Sequence, residues 1–549
     1  MHIVLVFAPK ASATYAPLGI TSLAPFIEQT VPDAAVGVLD LNIETWHFLA
    51  QKDPEGKDLL DFVQGRQGDF FNTASTLFYK DIWDRLRQQM ECLSTQARLY
   101  SETGLASAEY MKLLDIQVGR ILESDPDLVG FSVLFPEQLL FAVALARAVK
   151  HEVLLRKTGK PFRVVFGGAM MSALSVHDLL TAVPEIDGVV AGEGETAAAA
   201  LSAGADWSGI PGLSFRTASG IIENPKTQTI SLNSLPAADF SRLPLHLYFN
   251  PVPVLPVLFS RGCSWRKCRF CSHNFAFSGY RKKKVQTFVD EIEACYTTLG
   301  ARHFYSVDEF IPPPDMDAIA AEITARGLKI FYHVLGKPID TYTQDRMEKW
   351  AASGLRWIGW GVESGSQRLL DIINKGTRVS DIRQVIQASA RAGISNLPMM
   401  IFGLPTSTDP DMEESFRFLE SFYDSFDAMT ASAFVLFSGT HFARNARQFG
   451  LHIDQPMELL RISGKPLKSS RLRFREISSD GSFRSPRGSV EVAAWKKFRQ
   501  WLGDPPLLEQ LPSEHCLLHL SPRCQKDAGH TGIYTGNISD FQPVNTPII

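Results

Sequence analysis

VLPVLFSRGCSWRKCRFCSHNF, residues 254–275, joins a short apolar run to a loop holding Cys263, Cys268 and Cys271. The run Val254–Ser260 reads as a buried strand, and Gly262 marks the turn that ends it. Three thiolates this close can hold three irons of a [4Fe–4S] cluster and leave the fourth iron without a protein ligand. An open iron can bind a substrate or cofactor, whereas a fully ligated cluster mostly moves electrons. The rival chemistry is a zinc site with His273 as fourth ligand. Zinc loops more often pair two Cys-x-x-Cys knuckles, and the chain has no second one.

Outward from this loop, the segment 251–450 alternates strands and helices. Strands are expected at Val254–Ser260, His303–Val307, Ile330–Val334, Arg356–Val362, Leu397–Phe402 and Ala431–Phe437, with amphipathic helices such as Val289–Thr298 and Ser380–Ala392 between them. Six βα units predict a partial (β/α)6 barrel, whose chemistry gathers at the C-terminal strand ends, where the Cys loop lies. Either Phe304 or Tyr305 should face the barrel interior.

Residues 1–215 carry a second α/β series, with strands expected at His2–Phe7, Ala35–Asp40, Leu128–Leu134, Arg163–Phe166 and Gly188–Ala191. This predicts a doubly wound, Rossmann-like domain interrupted by a helical insertion over about 43–122. Asn, Pro and Ser scattered through 216–250 read as a linker. The region 451–549 has no assigned role. It is basic over Gly464–Arg499 and gathers His515, Cys516, His519, Cys524 and His530 at a spacing that fits no standard zinc pattern. Cys92 and Cys295 lie on apolar helical patterns and are expected in the core.

A chain of 549 residues with 45% hydrophobic and 21% charged content suits a soluble protein of several domains. Seven Cys are too few for a disulfide scaffold and suit a reducing cytoplasm. A net charge of −4 argues against nucleic acid as a partner. The start, MHIVLVFAPK, reads as a first strand rather than a leader, and no apolar run is long enough to span a membrane.

The loop RGC-x-W-x-K-C-x-F-C resembles the radical SAM superfamily. Its gaps of four and two residues depart from the commoner three and two, and resemble a variant among members with a cobalamin-binding domain. The resemblance places Phe270 near the SAM adenine and Asp308 or Glu309, in SVDEF at 306–310, at the SAM amino group. It places Glu363 and Ser364, in WGVESGSQRLLDIINKG at 360–376, at the ribose and methionine. Gly403 and Leu404, in IFGLPT at 401–406, then meet the adenine. Helix capping is the alternative role for Asp308, Glu309 and Glu363.

The segments APLGITSLAPFIE at 16–28, DLN at 40–42, PDLVGFSVLF at 126–135, VVFGGA at 164–169 and VVAGEGE at 189–195 resemble the cobalamin-binding domain of the same enzymes. They imply a crevice formed by Leu18, Gly19, Asn42, Ser132, Gly167, Gly168, Gly192 and Gly194. The Asp-x-His-x-x-Gly motif that offers an imidazole to cobalt is absent. The alternative role for these glycines is to make tight βα turns.

The resemblance implies a [4Fe–4S] cluster, SAM, cobalamin, an electron donor such as flavodoxin or ferredoxin, and a small-molecule or peptide substrate. The implied reaction is C-methylation through a 5′-deoxyadenosyl radical and methylcobalamin. Cobalamin-independent radical SAM chemistry (cyclisation, rearrangement or oxidation) and a non-enzymatic sensor are the alternatives. The basic run Arg281–Lys284 is either a solvated face or a rim for an acidic substrate.

Overall fold

The computed structural model describes residues 1–65, 70–156, 161–225, 229–273, 279–478, 480–503 and 507–521. The described chain divides into two compact units, one of Met1–Pro253 with Glu458–Ser470, the other of Val254–Met457 with the described residues that follow Ser470.

The first unit is built on a seven-stranded sheet. Its strands are β1 (His2–Phe7), β2 (Ala35–Asp40), β3 (Leu128–Ser132), β4 (Arg163–Gly167), β5 (Gly188–Val190), β6 (Leu213–Thr217) and β7 (Gly220–Glu223), in the order β2-β1-β3-β4-β5-β6-β7. The first five pair in parallel, with Ile3 opposite both Val36 and Leu128. Ile3–Phe7 is buried throughout, as expected of a central strand covered on both faces. The order reverses at β1, so the crevice of this sheet lies beyond the C-terminal ends of β1 and β3. The insertion is helical, with Gly56–Val63, Lys80–Thr103 and Ala108–Leu122 among its elements. Cys92 is exposed on Lys80–Thr103 rather than in the core, whereas Cys295 is buried.

Residues 216–250 are not a linker. Leu213–Glu223 folds back as the antiparallel pair β6–β7 and extends the sheet. Beyond it, Arg242 pairs with Glu28, and Tyr248 donates to Asp40, both inside the first unit. Polar residues suit these positions because an edge hairpin and short turns expose most of their side chains.

The second unit continues with β8 (Val254–Val257), β9 (Ser260–Arg261), β10 (Arg281–Lys282), β11 (His303–Ser306), β12 (Phe331–Gly336), β13 (Leu355–Glu363), β14 (Ser395–Phe402) and β15 (Thr430–Ala433). Six of these form a parallel sheet in the order β15-β14-β13-β12-β11-β8, the half-barrel expected from the sequence. The expected first strand is cut short at Val257, because β9 leaves the sheet to pair with β10. Leu255, Phe304 and Tyr332 share one face by register and are buried. On the opposite face Tyr305 is half-buried and stacks on His333, their centroids 4.3 Å apart. Tyr305 is therefore the interior residue of its pair.

The described part of the C-terminal region, up to Ser521, is structured. It forms β16 (Leu451–Ile462), β17 (Lys465–Ile477) and β18 (Phe483–Arg484), then helices Gly488–Leu502 and Ser513–His519. The tip of the β16–β17 hairpin belongs to the first unit, where Ser175 N donates to Lys468 O at 2.9 Å.

Candidate functional site

The Cys loop leaves the sheet at β9 and is held from beneath by Asp308. One Asp308 oxygen accepts from Ser260 N at 2.5 Å and Ser260 Oγ at 2.6 Å; the other accepts from Phe259 N and Ser306 Oγ, both at 2.9 Å. Asp308 therefore caps no helix, and its acceptor capacity is largely used by the root of the loop. Glu309 stands beside it with 32% of its side chain exposed and an oxygen 3.2 Å from His273 Nδ1. Burial and the Asp308 charge push its carboxyl up to about 8. Of the two carboxylates expected at the SAM amino group, Glu309 is the one left to reach a ligand.

The top of the loop rests on the segment after β13. Arg269 N donates to Ile373 O at 2.9 Å, Arg269 Nη1 to Ile372 O at 2.7 Å and Trp265 Nε1 to Asn374 O at 3.0 Å. Gly376 has φ +67, and a Cβ there would lie 2.1 Å from the Trp265 ring. The four-residue gap between Cys263 and Cys268 thus carries a tryptophan that docks on a glycine, with Arg266 at φ +50 turning the chain back.

All three cysteines are free thiols and partly exposed. Among the described residues no three His, Cys, Asp or Glu side chains converge on one ion. Cys516 is buried in helix Ser513–His519 and donates to Leu508 O; Cys524 and His530 lie outside the described residues.

Glu363 ends β13 at φ +65, and its Oε1 lies 2.5 Å from Lys375 Nζ, both side chains 10% exposed. It pairs with a lysine rather than capping the next helix. Burial alone would lower the Lys375 ammonium, but Glu363, Cys268 and Cys271 outweigh it and raise it above its ordinary value. Ser364 is buried, with its Oγ 3.2 Å from Ser415 Oγ. Gly403 N donates to Glu491 Oε2 at 2.6 Å, Leu404 is fully buried, and Phe270 is half-exposed beside Cys271. Of the basic run, Lys282 pairs with Asp315 and Lys283 with Glu291, so the run is partly consumed by ion pairs.

In the first unit, Leu18, Gly19, Ser132, Gly167, Gly168, Gly192 and Gly194 all keep exposed surface at strand ends or helix starts. A Cβ at Gly19 would lie 3.7 Å from Ser132 Oγ, which brings the helix Leu18–Thr30 beside β3. Gly168, at φ +94, needs its lack of a Cβ, since one would lie 2.4 Å from Val133 O. At Gly167 a Cβ would meet nothing within 4 Å, so the end of β4 is open at that position.

Asn42 stands apart from this set. It is fully buried, accepts from Ala11 N at 2.8 Å and donates to Ser12 O at 3.1 Å, so it braces the loop after β1. Gln138 ties that loop to the one after β3 by donating to Ala8 O at 2.6 Å and accepting from Leu134 N at 2.7 Å. Tyr15 and Phe135 project aromatic rings from the same two loops, 6.5 Å apart. Sequence reasoning passed over Tyr15 and Phe135, although the switch-point rule points to the loops that bear them. It also passed over Lys337 and Lys375, one directly after a strand and the other inside the quoted 360–376 motif.

The family described as the radical SAM superfamily matches residues 257–419, and the B12 binding domain matches residues 112–202. An uncharacterized methyltransferase of Pyrococcus horikoshii is 26% identical over 307 residues, 54% of this chain and 65% of its own length. An anaerobic magnesium-protoporphyrin IX monomethyl ester cyclase of Synechocystis sp. is 25% identical over 331 residues, 57% of this chain and 64% of its own. The chain thus spans just under two thirds of the length of these relatives. The radical SAM methyltransferase TsrM of Kitasatospora setae, solved with tryptophan substrate and a SAM analog, has a TM-score of 0.60 at 18% identity, covering 93% of this chain and 91% of that one. At that identity the likeness is one of fold. Two matched domains, a cysteine loop at the end of the first half-barrel strand and glycines at a switch point agree: this chain carries a B12 binding domain followed by a radical SAM domain.

Proposed function

We propose that the protein is a methyltransferase that places a SAM-derived methyl group on an unactivated carbon of a small-molecule or peptide substrate. One observation carries this reading: a single chain combines a three-cysteine loop on a half-barrel with a B12 binding domain whose strand ends are open at Gly167. Similarity to a methyltransferase supports the direction of the chemistry. When bound, the cluster and SAM supply hydrogen-atom abstraction, and cobalamin supplies methyl transfer.

The side chains have separable tasks. Cys263, Cys268 and Cys271 hold the cluster on a loop pinned by Asp308 and Trp265. Glu309 offers a carboxylate to the SAM ammonium. Glu363 and Lys375 form a neutral buried pair at the end of β13, and Phe270 presents an aromatic face next to the third cysteine. An electron donor of the flavodoxin or ferredoxin type supplies reducing equivalents. Among the described residues no helix is long and apolar enough to cross a membrane.

The test uses SAM labelled in its methyl group, with anaerobically reconstituted protein and hydroxocobalamin. Label recovered in a carbon-methylated product supports the reading. 5′-Deoxyadenosine formed with cobalamin present and no label in product would sink it. That outcome favours a second reading, cyclisation or oxidation without methyl transfer, which the nearly equal similarity to a cyclase makes specific.

A further inference from the structure

Two lysines flank the cysteine loop, and only one has a carboxylate partner. Lys375 is paired with Glu363, so that pair adds no net charge to its surroundings. Lys337, directly after β12, is 7% exposed, and its Nζ lies 3.3 Å from the centroid of the Trp265 ring. Among the described residues it makes no ion pair. A buried ammonium without a counter-anion is costly, and a cation–π contact recovers only part of the lost hydration. Burial first, then the neighbouring Lys375, pulls its ammonium down from the ordinary lysine value to about 8, with Cys268 and Cys263 acting in the opposite sense.

Trp265 makes this placement specific. Its ring is held by Asn374 O on its indole nitrogen and by Gly376 against its edge, and it belongs to the gap between the first two cysteines. The platform under the ammonium is thus part of the loop that would carry the irons. Three thiolates leave such a cluster anionic, and one-electron reduction adds a further negative charge without making or breaking a bond. A fixed cation nearby stabilises the reduced form more than the oxidised one.

We propose that Lys337, seated on Trp265, is the counter-charge of the cluster and raises its reduction potential. It is a positioning residue, acting through the cluster's electrostatics. The proposal rests on the reading of Cys263, Cys268 and Cys271 as ligands. The electron comes from an external low-potential one-electron donor, dithionite in the test.

The experiment is a mediated redox titration of the reconstituted full-length protein without SAM, followed by electron paramagnetic resonance, with iron and sulfide content measured in parallel. Lys337→Met shifts the reduced-to-oxidised ratio at fixed potential about tenfold toward the oxidised form, about 59 mV for one electron. Lys337→Arg keeps the wild-type midpoint. A Lys337→Met protein with full iron content and an unchanged midpoint overturns the proposal, and so does one that loses only SAM affinity. Should Lys337→Met assemble no cluster, Trp265→Leu decides, since it keeps the charge and removes its platform. A lowered midpoint supports the proposal and an unchanged one overturns it. A Cys271→Ala protein that retains its full cluster overturns the ligand reading instead, separately from any result at Lys337.

Discussion

Asp308 shows how a residue legible as a carboxylate can still be misassigned in its task. Its position at the end of β11 is readable from SVDEF, but the four donors around it come from Phe259, Ser260 and Ser306, two of them backbone N–H groups. Nothing in sequence spacing shows that the strand before the cysteines stops at Val257 and leaves those groups in need of an acceptor. Asp308→Asn replaces one acceptor oxygen with an NH2 that must face a donor. The expected cost is about 1–3 kcal/mol, concentrated at the root of the cysteine loop. Thermal unfolding and iron content after reconstitution should both fall. Wild-type values for both would show that the carboxylate is not the clamp.

At the scale of elements, most strands of the two parallel sheets are readable because buried parallel strands are apolar and rich in β-branched residues, as in His2–Phe7 and Ala35–Asp40. The antiparallel additions are not. β6–β7 and β16–β17–β18 expose much of their surface, so RLRFREI at 471–477 reads as a basic stretch before it reads as a strand. Helix Gly488–Leu502 escaped notice for a different reason, since its importance lies in what it touches. Its first turn packs on the end of β14, where Glu491 takes Gly403 N and also accepts from Ser407 Oγ and Arg487 Nε. Gly403, at φ +73, has Gly488 N and Cα where a Cβ would be, 2.3 Å away. The glycine of IFGLPT therefore permits a helix to close over the strand end, whatever else approaches it. Gly403→Ala combines left-handed strain of about 1 kcal/mol or more with a clash against backbone that cannot rotate away. Hydrogen exchange should show the amides of 488–502 losing protection well before those of β13. Unchanged protection in that helix would refute the packing argument.

Over the whole molecule, the chain visits its first unit twice, since Glu458–Ser470 returns to it after the half-barrel. A reading that moves along the sequence cannot anticipate such a return, because hairpins carry no mark of the sheet they join. A two-unit chain has no reason to unfold in one step, and calorimetry of the full-length protein should resolve more than one transition. Cobalamin stabilises the unit that binds it by mass action, about 2.7 kcal/mol at a hundredfold excess over Kd. The open space at Gly167 allows a sharp test. Its φ is not positive and a Cβ would touch nothing, so Gly167→Val suits the end of β4 and should change the ligand-free transitions by no more than about 0.5 kcal/mol. The same side chain would take up space that cobalamin needs if it binds against the end of β4, as the proposed function implies. Hydroxocobalamin should therefore raise one transition of the wild-type protein and leave that transition of Gly167→Val nearly unmoved. If the variant responds to cobalamin as the wild type does, the ligand does not lie against β4, and Gly167 only shapes its turn.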